Sequence, residues 1–453
     1  MTPSDPAPLP PAPTRVLTRR LGARLPGACL LALALLGGCA LTGAPPGAAP
    51  PASARPDWVL PRAASPEAVG LSSAQLARVA EVTGAHVASG AVPGAVMLVA
   101  RHGQIAWLHT VGWRDRARDL PMREDAIFRL YSMTKPIVSL AVMMLVEEGR
   151  LQITDPVSRH LPELRGMTVG VERRDAAGRA VVERSEPPRE MTVQDLLRHT
   201  AGLTYAGRSS GAVVDEIRAA GLGARDESNR QFVEKLARTP LIHPPGTRWE
   251  YGVSTDVLGR LVEVISGQSL GEFLRLRIFE PLGMRDTAFW VPPDKLDRAA
   301  QPWQRPGGPP MTPRFDVAVR PAFESGGGGL VGTAADYLRF ATLLLNGGEL
   351  NGRRLVSPQT LAFMTADHVG SLPGRPPGLG FGLGFEVRTS VGRAGLPGSV
   401  GEYGWAGNAG TLFWVDPAEQ LIALYLVQVN DGERIALRNQ FRTMTQSAIA
   451  RRP

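Results

Sequence analysis

Ser132 and Lys135 lie three residues apart in the segment FRLYSMTKP, residues 128–136. Residues at this spacing in a helical turn project from the same side, so the hydroxyl and the amine can meet. Serine is a weak nucleophile that needs a nearby base, and lysine can serve if its pKa is lowered. The start of a helix supplies positive potential that lowers it, and its N–H groups can stabilise an oxyanion. The pair therefore predicts a nucleophilic serine activated by a lysine.

The same two residues also allow an interpretation without chemistry. Ser132 can cap a helix while Lys135 lies on a solvated first turn, and Ser-x-x-Lys strings are common. However, the chain has only three lysines among its 50 basic residues, and only Lys135 follows a serine by three positions. Arginine cannot lose its proton, so a lysine retained against this bias favours the chemical interpretation.

The elements that must position this pair form two β-rich ends and a helical middle. Residues 94–100 and 104–112 flank a three-residue turn and predict an antiparallel hairpin, which follows a helix capped by Ser72. Three later strands and a final helix are predicted at residues 381–387, 404–417, 421–429 and 433–451. Helices are predicted between them at residues 136–148, 192–199, 231–239, 254–265, 270–279 and 334–346. This order predicts an α/β sandwich of a mainly antiparallel sheet flanked by helices, with a mostly helical region inserted at about 136–345.

The N-terminal region has the composition of a targeting segment. Residues 15–24 hold four arginines, residues 25–36 are apolar, and the string LGGC ends at Cys39, which predicts a signal peptide over residues 1–38. LGGC resembles the bacterial lipobox, which implies cleavage before Cys39 and its lipidation. The alternative is an ordinary signal peptide with a coincidental cysteine.

Residues 39–66 are rich in proline, alanine and glycine and predict a tether to one folded domain over residues 67–453. The expected location is the bacterial cell envelope, with the domain facing the periplasm and touching the membrane only through its N-terminal lipid.

Charged residues are spread thinly over the chain beyond residue 38. The 453 residues have a formal charge of +8, and residues 1–38 carry four arginines and one aspartate, which leaves +5 beyond them. A chain with 43% hydrophobic and 20% charged residues is typical of a globular protein. Since no run of basic residues follows the N-terminal region, no nucleic-acid partner is predicted.

Five segments, in order, resemble the motifs of one enzyme superfamily. They are FRLYSMTKP (128–136), LLRHTAGL (196–203), PPGTRWEYGVSTDVLGRLVEVISG (244–267), SGGGGLVGTAADYLRFATLLLNGG (325–348) and WAGNAGTLFWVDP (405–417). They resemble the serine β-lactamase and penicillin-binding-protein superfamily, and most closely its family VIII carboxylesterases and related transesterases. The resemblance implies a β-lactamase-like fold that cleaves or transfers the acyl group of small carboxylic esters through an acyl-enzyme.

The resemblance also implies a role for each matching residue. Ser132 would be the acylated nucleophile, and Lys135 and Tyr251 would together take its proton and later help to activate water. The backbone N–H groups of Ser132 and Asn408 would form the oxyanion hole. From the residues alone, Tyr251 can equally be a half-buried aromatic, and only its distance from Ser132 in the fold decides.

Departures from the family pattern inform the expected substrate. Trp405, Ala406 and Gly407 stand where the β-lactamases have Lys-Thr-Gly, and these three residues are predicted to bind substrate. An indole cannot pair with a carboxylate and would pack an apolar group instead. Val253 replaces the asparagine of Tyr-x-Asn, which removes an amide. Both changes favour neutral esters over β-lactams.

Two other functions and one competing motif stay open at this point. Residual β-lactamase or D-amino-acid peptidase activity is one alternative, and a catalytically silent, lipid-anchored binding domain is another. Ser209 lies in a Gly-x-Ser-x-Gly string, but this nucleophile elbow requires a preceding strand, and a loop-like stretch precedes Ser209. The seven histidines lack metal-ligand spacing, so no metal or cofactor is predicted, and His199 is expected to be a structural hydrogen-bonder.

Overall fold

A computed structural model of the protein describes residues 57–304, 313, 315–429 and 433–451. The strands in these ranges are β1 (Gly94–Arg101), β2 (Gln104–Asp115), β3 (Leu120–Pro121), β4 (Phe128–Arg129), β5 (Val169–Arg174), β6 (Ala180–Ser185), β7 (Val331–Gly332), β8 (Glu349–Leu350), β9 (Arg353–Arg354), β10 (Leu379–Phe381), β11 (Glu386–Arg388), β12 (Tyr403–Ala406), β13 (Leu412–Asp416) and β14 (Leu421–Val427). The helices are α1 (Ser73–Ala88), α2 (Thr134–Glu147), α3 (Val193–Leu197), α4 (Ala212–Ala219), α5 (Asn229–Leu236), α6 (Ser254–Ser266), α7 (Leu270–Leu274), α8 (Glu280–Leu282), α9 (Ala334–Leu345), α10 (Pro358–Met364) and α11 (Arg434–Ser447).

An eight-stranded sheet joins the two ends of the described chain. Its order is β10-β11-β12-β13-β14-β1-β2-β3, and every neighbouring pair is antiparallel. The central contact pairs β1 with β14, so that Ala95 faces Val427 and Arg101 faces Leu421. The predicted antiparallel sheet built from both termini is therefore confirmed.

Both faces of the sheet are buried, as β1 shows. Val96 and Leu98 point into the larger core, which they share with α2, α6 and α9, whereas Met97 and Val99 point into a second core. Alternate residues of a strand face opposite sides, so a strand buried on both sides is apolar at every position. The second core contains apolar residues of α1 and α11, which cover the outer face.

Two strands predicted as single elements are each divided in the structure. Residues 381–387 form the end of β10, a turn and the start of β11, and residues 404–417 form the hairpin of β12 and β13. In the second hairpin, Gly407 and Gly410 lie in the turn, where Gly410 has a φ of 94°. A positive φ favours glycine, so these residues interrupt an otherwise strand-like segment. The predicted helix over 270–279 is divided too, since α7 is followed by a π-helical segment, Arg275–Phe279.

Part of the predicted tether packs against the domain. Trp58, Val59 and Leu60 contact the larger core, and the backbone of residue 105 in β2 exchanges hydrogen bonds with residues 61 and 63. The domain therefore includes residues before the predicted boundary at 67. Trp58, Val59 and Leu60 were assigned to the tether because prolines surround them in the sequence. The predicted signal peptide (1–38) and Cys39 lie outside the described residues. Within the described ranges, no helix has the length and apolarity needed to cross a membrane.

Candidate active site

Ser132 lies at the junction between the sheet-bound segment β4 and the buried helix α2. A short 3-10 turn, Tyr131–Met133, connects the two, and Tyr131 has a positive φ of 46°. Such a conformation is strained for a non-glycine residue and persists only where its surroundings enforce it. Two bonds hold this turn: Leu130 N–H donates to the Leu330 carbonyl at 2.9 Å, and the Tyr337 hydroxyl donates to the Met133 carbonyl at 2.9 Å.

The structure brings Ser132, Lys135 and Tyr251 together. The hydroxyl of Tyr251 lies 2.7 Å from Ser132 Oγ, although the two residues are 119 positions apart. Lys135 Nζ lies 3.3 Å from the same oxygen and 4.6 Å from the centre of the Tyr251 ring. The hydroxyl of Tyr251 is therefore within hydrogen-bonding distance of the serine that would lose a proton.

Lys135 is almost completely buried, at 1% exposure, among oxygen atoms. Its Nζ donates to the Gly327 carbonyl at 2.7 Å and to the Tyr205 hydroxyl at 3.0 Å, in addition to Ser132. Burial is the largest effect on the pKa of Lys135 and lowers it, but Tyr205, Tyr251 and Asp256 together outweigh burial and raise this pKa. The expectation of a lowered lysine pKa was wrong, because phenol and carboxylate groups distant in sequence surround the amine.

Asp256 holds the glycine-rich segment, residues 325–329, whose Gly327 carbonyl accepts the hydrogen bond from Lys135. Its Oδ1 accepts hydrogen bonds from Ser325 Oγ at 2.5 Å and from Gly327 N–H at 2.9 Å. A Cβ on Gly327 would lie 2.3 Å from Asp256 Oδ2, so this position requires glycine. Burial raises the pKa of the Asp256 carboxyl, while Lys135 and these two donors lower it. The roles of Asp256 and Tyr205 were missed; their only sequence signal is their position inside or beside the resembling segments.

The turn between β12 and β13 brings Asn408 to the same cavity as Ser132. Gly407 is buried in this turn, and a Cβ there would lie 2.2 Å from the Leu130 carbonyl oxygen. Glycine thus permits the close approach of this turn to the segment before Ser132. Arg438 of α11 supports the turn, because its guanidinium donates to the Gly407 carbonyl and, at 3.2 Å, to the Gly410 carbonyl.

Aromatic side chains form a wall behind Tyr251. The indole N–H of Trp405 lies 3.4 Å from the Tyr251 hydroxyl, and the rings of Trp249 and His199 have their centres 6.0 and 5.0 Å from that of Tyr251. His199 is buried, and burial together with the positive charges of Lys135, Arg375 and Arg208 lowers its pKa well below the ordinary value. Among the described residues its Nδ1 has no hydrogen-bond partner, and its ring packs against those of Trp249, Tyr251 and Phe381.

A cavity of about 700 Å³ opens beside Ser132. Trp405, Ala406 and Gly407, the residues predicted to bind substrate, line it together with Tyr251. Ser209 is exposed in a loop, and no strand precedes it, so the Gly-x-Ser-x-Gly string does not form a nucleophile elbow. In the part of the chain that the structure describes, no three His, Cys, Asp or Glu side chains are grouped to hold a metal ion.

Comparison with known proteins identifies the family of the chain. The protein-family model described as Beta-lactamase matches residues 79–443. The chain belongs to the Beta-lactamase family. This assignment confirms the resemblance seen in the sequence, and the eight-stranded antiparallel sheet flanked by helices agrees with it.

Relatives within the Beta-lactamase family include proteins with ester-related names. Esterase EstB of Burkholderia gladioli is 35% identical over 384 residues, which cover 80% of this chain and 92% of that protein. Protein Rv1367c of Mycobacterium tuberculosis is 36% identical over 362 residues, covering 75% and 86%. The solved structure of EstCE1, described as a hydrolase with promiscuous acyltransferase activity, has a TM-score of 0.68 and 26% identity, covering 83% of this chain and 98% of that one.

Proposed function

We propose that this Beta-lactamase family member hydrolyses carboxylic esters, or transfers their acyl groups, through a covalent acyl-enzyme at Ser132. The observation that carries the proposal is the 2.7 Å distance between the Tyr251 hydroxyl and Ser132 Oγ, with Lys135 beside both. Similarity to EstB and EstCE1 supports the same substrate class.

The steps follow from the positions of these groups. Ser132 Oγ bonds to the ester carbonyl carbon while its proton passes to the oxygen of Tyr251, and the cationic Lys135 stabilises the phenolate form that accepts it. The backbone N–H groups of Ser132 and Asn408 receive the oxyanion. The ester C–O bond then breaks, and the departing alkoxide takes the proton from Tyr251. Water or another alcohol repeats the sequence on the acyl-enzyme and releases Ser132.

The test uses intact mass spectrometry of the full-length protein after brief exposure to 4-nitrophenyl butyrate. Release of 4-nitrophenol and a butyryl adduct are expected, and both should disappear in Ser132→Ala. The matched control is Ser209→Ala, which removes the exposed serine and should keep both signals. Equal turnover by Ser132→Ala would remove Ser132 from the mechanism, and selective loss in Ser209→Ala would transfer the role to that residue.

We further propose that the protein is a lipoprotein of the bacterial cell envelope, anchored through Cys39 with its domain in the periplasm. The string LGGC after an arginine-flanked apolar segment supports this location. Metabolic labelling with palmitate should mark the wild type and Cys29→Ala but not Cys39→Ala. Label retained in Cys39→Ala would refute lipidation at that residue.

A further inference from the structure

The cavity beside Ser132 is strongly cationic. Among the described residues, one acidic side chain, Glu386, and six arginines line it, namely Arg208, Arg375, Arg388, Arg434, Arg438 and Arg442. Glu386 pairs with Arg375, and Glu402 pairs with both Arg388 and Arg442 from within the wall. Arg208 and Arg438, however, form no ion pair with a carboxylate of the described residues. The sequence, by contrast, had indicated a thin and even spread of charge.

Arg208 is the arginine of this group that lies against Tyr251. Its guanidinium carbon is 5.3 Å from the centre of the Tyr251 ring, and among the described residues it forms no ion pair. Its backbone N–H donates to the Tyr205 carbonyl at 3.0 Å, and Tyr205 is itself bonded to Lys135. The first of these bonds closes a turn within the loop, and the Tyr205 hydroxyl joins this turn to Lys135. The Gly-x-Ser-x-Gly string supplies a cation to the cavity, not a nucleophile.

Arg438 adds positive charge at the turn of Asn408, which also lines the cavity. Both of its described hydrogen bonds go to carbonyl oxygens of Gly407 and Gly410, which do not neutralise its charge. A cavity with one sign of charge focuses its field and attracts ligands of the opposite sign. A planar guanidinium also binds a carboxylate through two parallel hydrogen bonds. A carboxylate ligand would supply Arg208 and Arg438 with a counter-charge that the described residues do not provide.

We infer that the cavity selects esters that carry a carboxylate, with Arg208 as the residue that binds this group. The inference rests on the proposed ester chemistry at Ser132 and narrows its substrate class. It also reverses the expectation of neutral esters drawn from Trp405: the cation lost at that position is replaced by Arg208, which lies against the same Tyr251 ring that Trp405 contacts. The carboxylate can belong to the acyl or to the alcohol part of the ester.

The test compares esters that differ only in this charge. Mono-4-nitrophenyl adipate and its methyl ester place the charge in the acyl part, and 4-acetoxybenzoate and its methyl ester place it in the alcohol part. The measured quantity is the ratio of kcat/KM for the acidic ester to that for the neutral one, each corrected for uncatalysed hydrolysis. In the wild type we expect a ratio of at least about 10 for one pair, which falls as sodium chloride screens the charge.

Arg208→Gln should lower this ratio about tenfold, whereas the control Arg230→Gln, on an exposed face of α5, should leave it unchanged. Because the ratio is taken within each variant, loss of folded protein cancels. The inference is overturned if the wild type prefers the neutral esters or if Arg208→Gln does not change the ratio. In either case, hydrolysis that depends on Ser132 would still support the proposed function. Absence of turnover of all four esters by the wild type overturns both.

Discussion

The amine of Lys135 lies 2.7 Å from the carbonyl oxygen of Gly327, closer than its 3.3 Å distance to Ser132 Oγ. A carbonyl oxygen only accepts hydrogen bonds, so Lys135 always donates one proton to it. With the Tyr205 hydroxyl as a third partner, the acceptors match the three N–H groups of an ammonium. The raised pKa of Lys135 favours its ammonium form, and the oxygen of Tyr251, at 2.7 Å, lies closer to Ser132 Oγ than the amine does.

The two tyrosines beside Lys135 should consequently differ in their importance. Tyr251→Phe removes the oxygen next to Ser132 but keeps the ring that packs on Trp249 and Trp405, so we expect kcat to fall by about 10²-fold or more. Tyr205→Phe removes only a partner of Lys135 and should cost about tenfold or less. Steady-state kinetics with 4-nitrophenyl butyrate measures both, and the reverse order would assign the proton to Tyr205.

Asp256 should act on the site through the residues that it positions. Asp256→Asn keeps an oxygen that can accept from Ser325 and Gly327 but removes the charge that stabilises cationic Lys135, so kcat should fall about tenfold. Asp256→Ala also releases the glycine-rich segment and should lower kcat further. KM should change little in either variant, because Asp256 does not line the cavity. Equal kcat for Asp256→Asn and the wild type would show that its charge has no role.

Features formed by residues close together in the sequence could be predicted from it, whereas features formed by distant residues could not. Ser132 and Lys135 were predicted as a pair because their spacing of three residues in a helical turn is a local property. The hairpin of β1 and β2 was predicted for the same reason, from two apolar runs around a short turn. Tyr251 was reached only through the family resemblance, since nothing local joins it to a serine 119 positions away.

The charges and pKa shifts of the site could not be predicted from local sequence patterns. The pKa of Lys135 is raised by Tyr205, Tyr251 and Asp256, which come from three separate segments and meet only in the fold. The cationic cavity could not be predicted either, because about half of the chain separates Arg208 from Arg438 and both look like ordinary surface arginines in the sequence. The break between β12 and β13 was missed because apolar residues on both sides of Gly407 continue the strand pattern.

Arg438 should position the turn that carries Asn408. Arg438→Gln removes the guanidinium that donates hydrogen bonds to both the Gly407 and Gly410 carbonyls. The backbone N–H of Asn408 should then be less well placed to stabilise the oxyanion. We expect kcat to fall about tenfold and the affinity for butaneboronic acid, which forms a tetrahedral adduct with a serine, to fall in parallel. A loss in KM alone, with unchanged boronic acid affinity, would contradict a role in oxyanion binding.

The stability of the protein should depend on pH through Asp336, a buried residue of α9. Its Oδ2 accepts hydrogen bonds from Asp286 N–H and Thr287 Oγ1, both at 2.8 Å. Burial, reinforced by the negative charge of Asp286, raises the pKa of Asp336 from 3.8 to about 6. The folded protein then holds this proton over a pH range in which the unfolded chain has lost it, so the folded state loses stability as pH rises from about 4 to about 6.

Asp336→Asn removes this titration while keeping a side chain of nearly the same shape. The free energy of unfolding of the variant minus that of the wild type should therefore increase between pH 4 and pH 7, by up to about 3 kcal/mol for a shift of this size. Urea unfolding at several pH values measures the difference, and Asp294→Asn, an exposed carboxylate, is the control for general effects of charge removal. A difference that stays constant with pH would mean that Asp336 titrates alike in the folded and unfolded chains, because its hydrogen bonds from Asp286 and Thr287 would then fully offset the cost of burial.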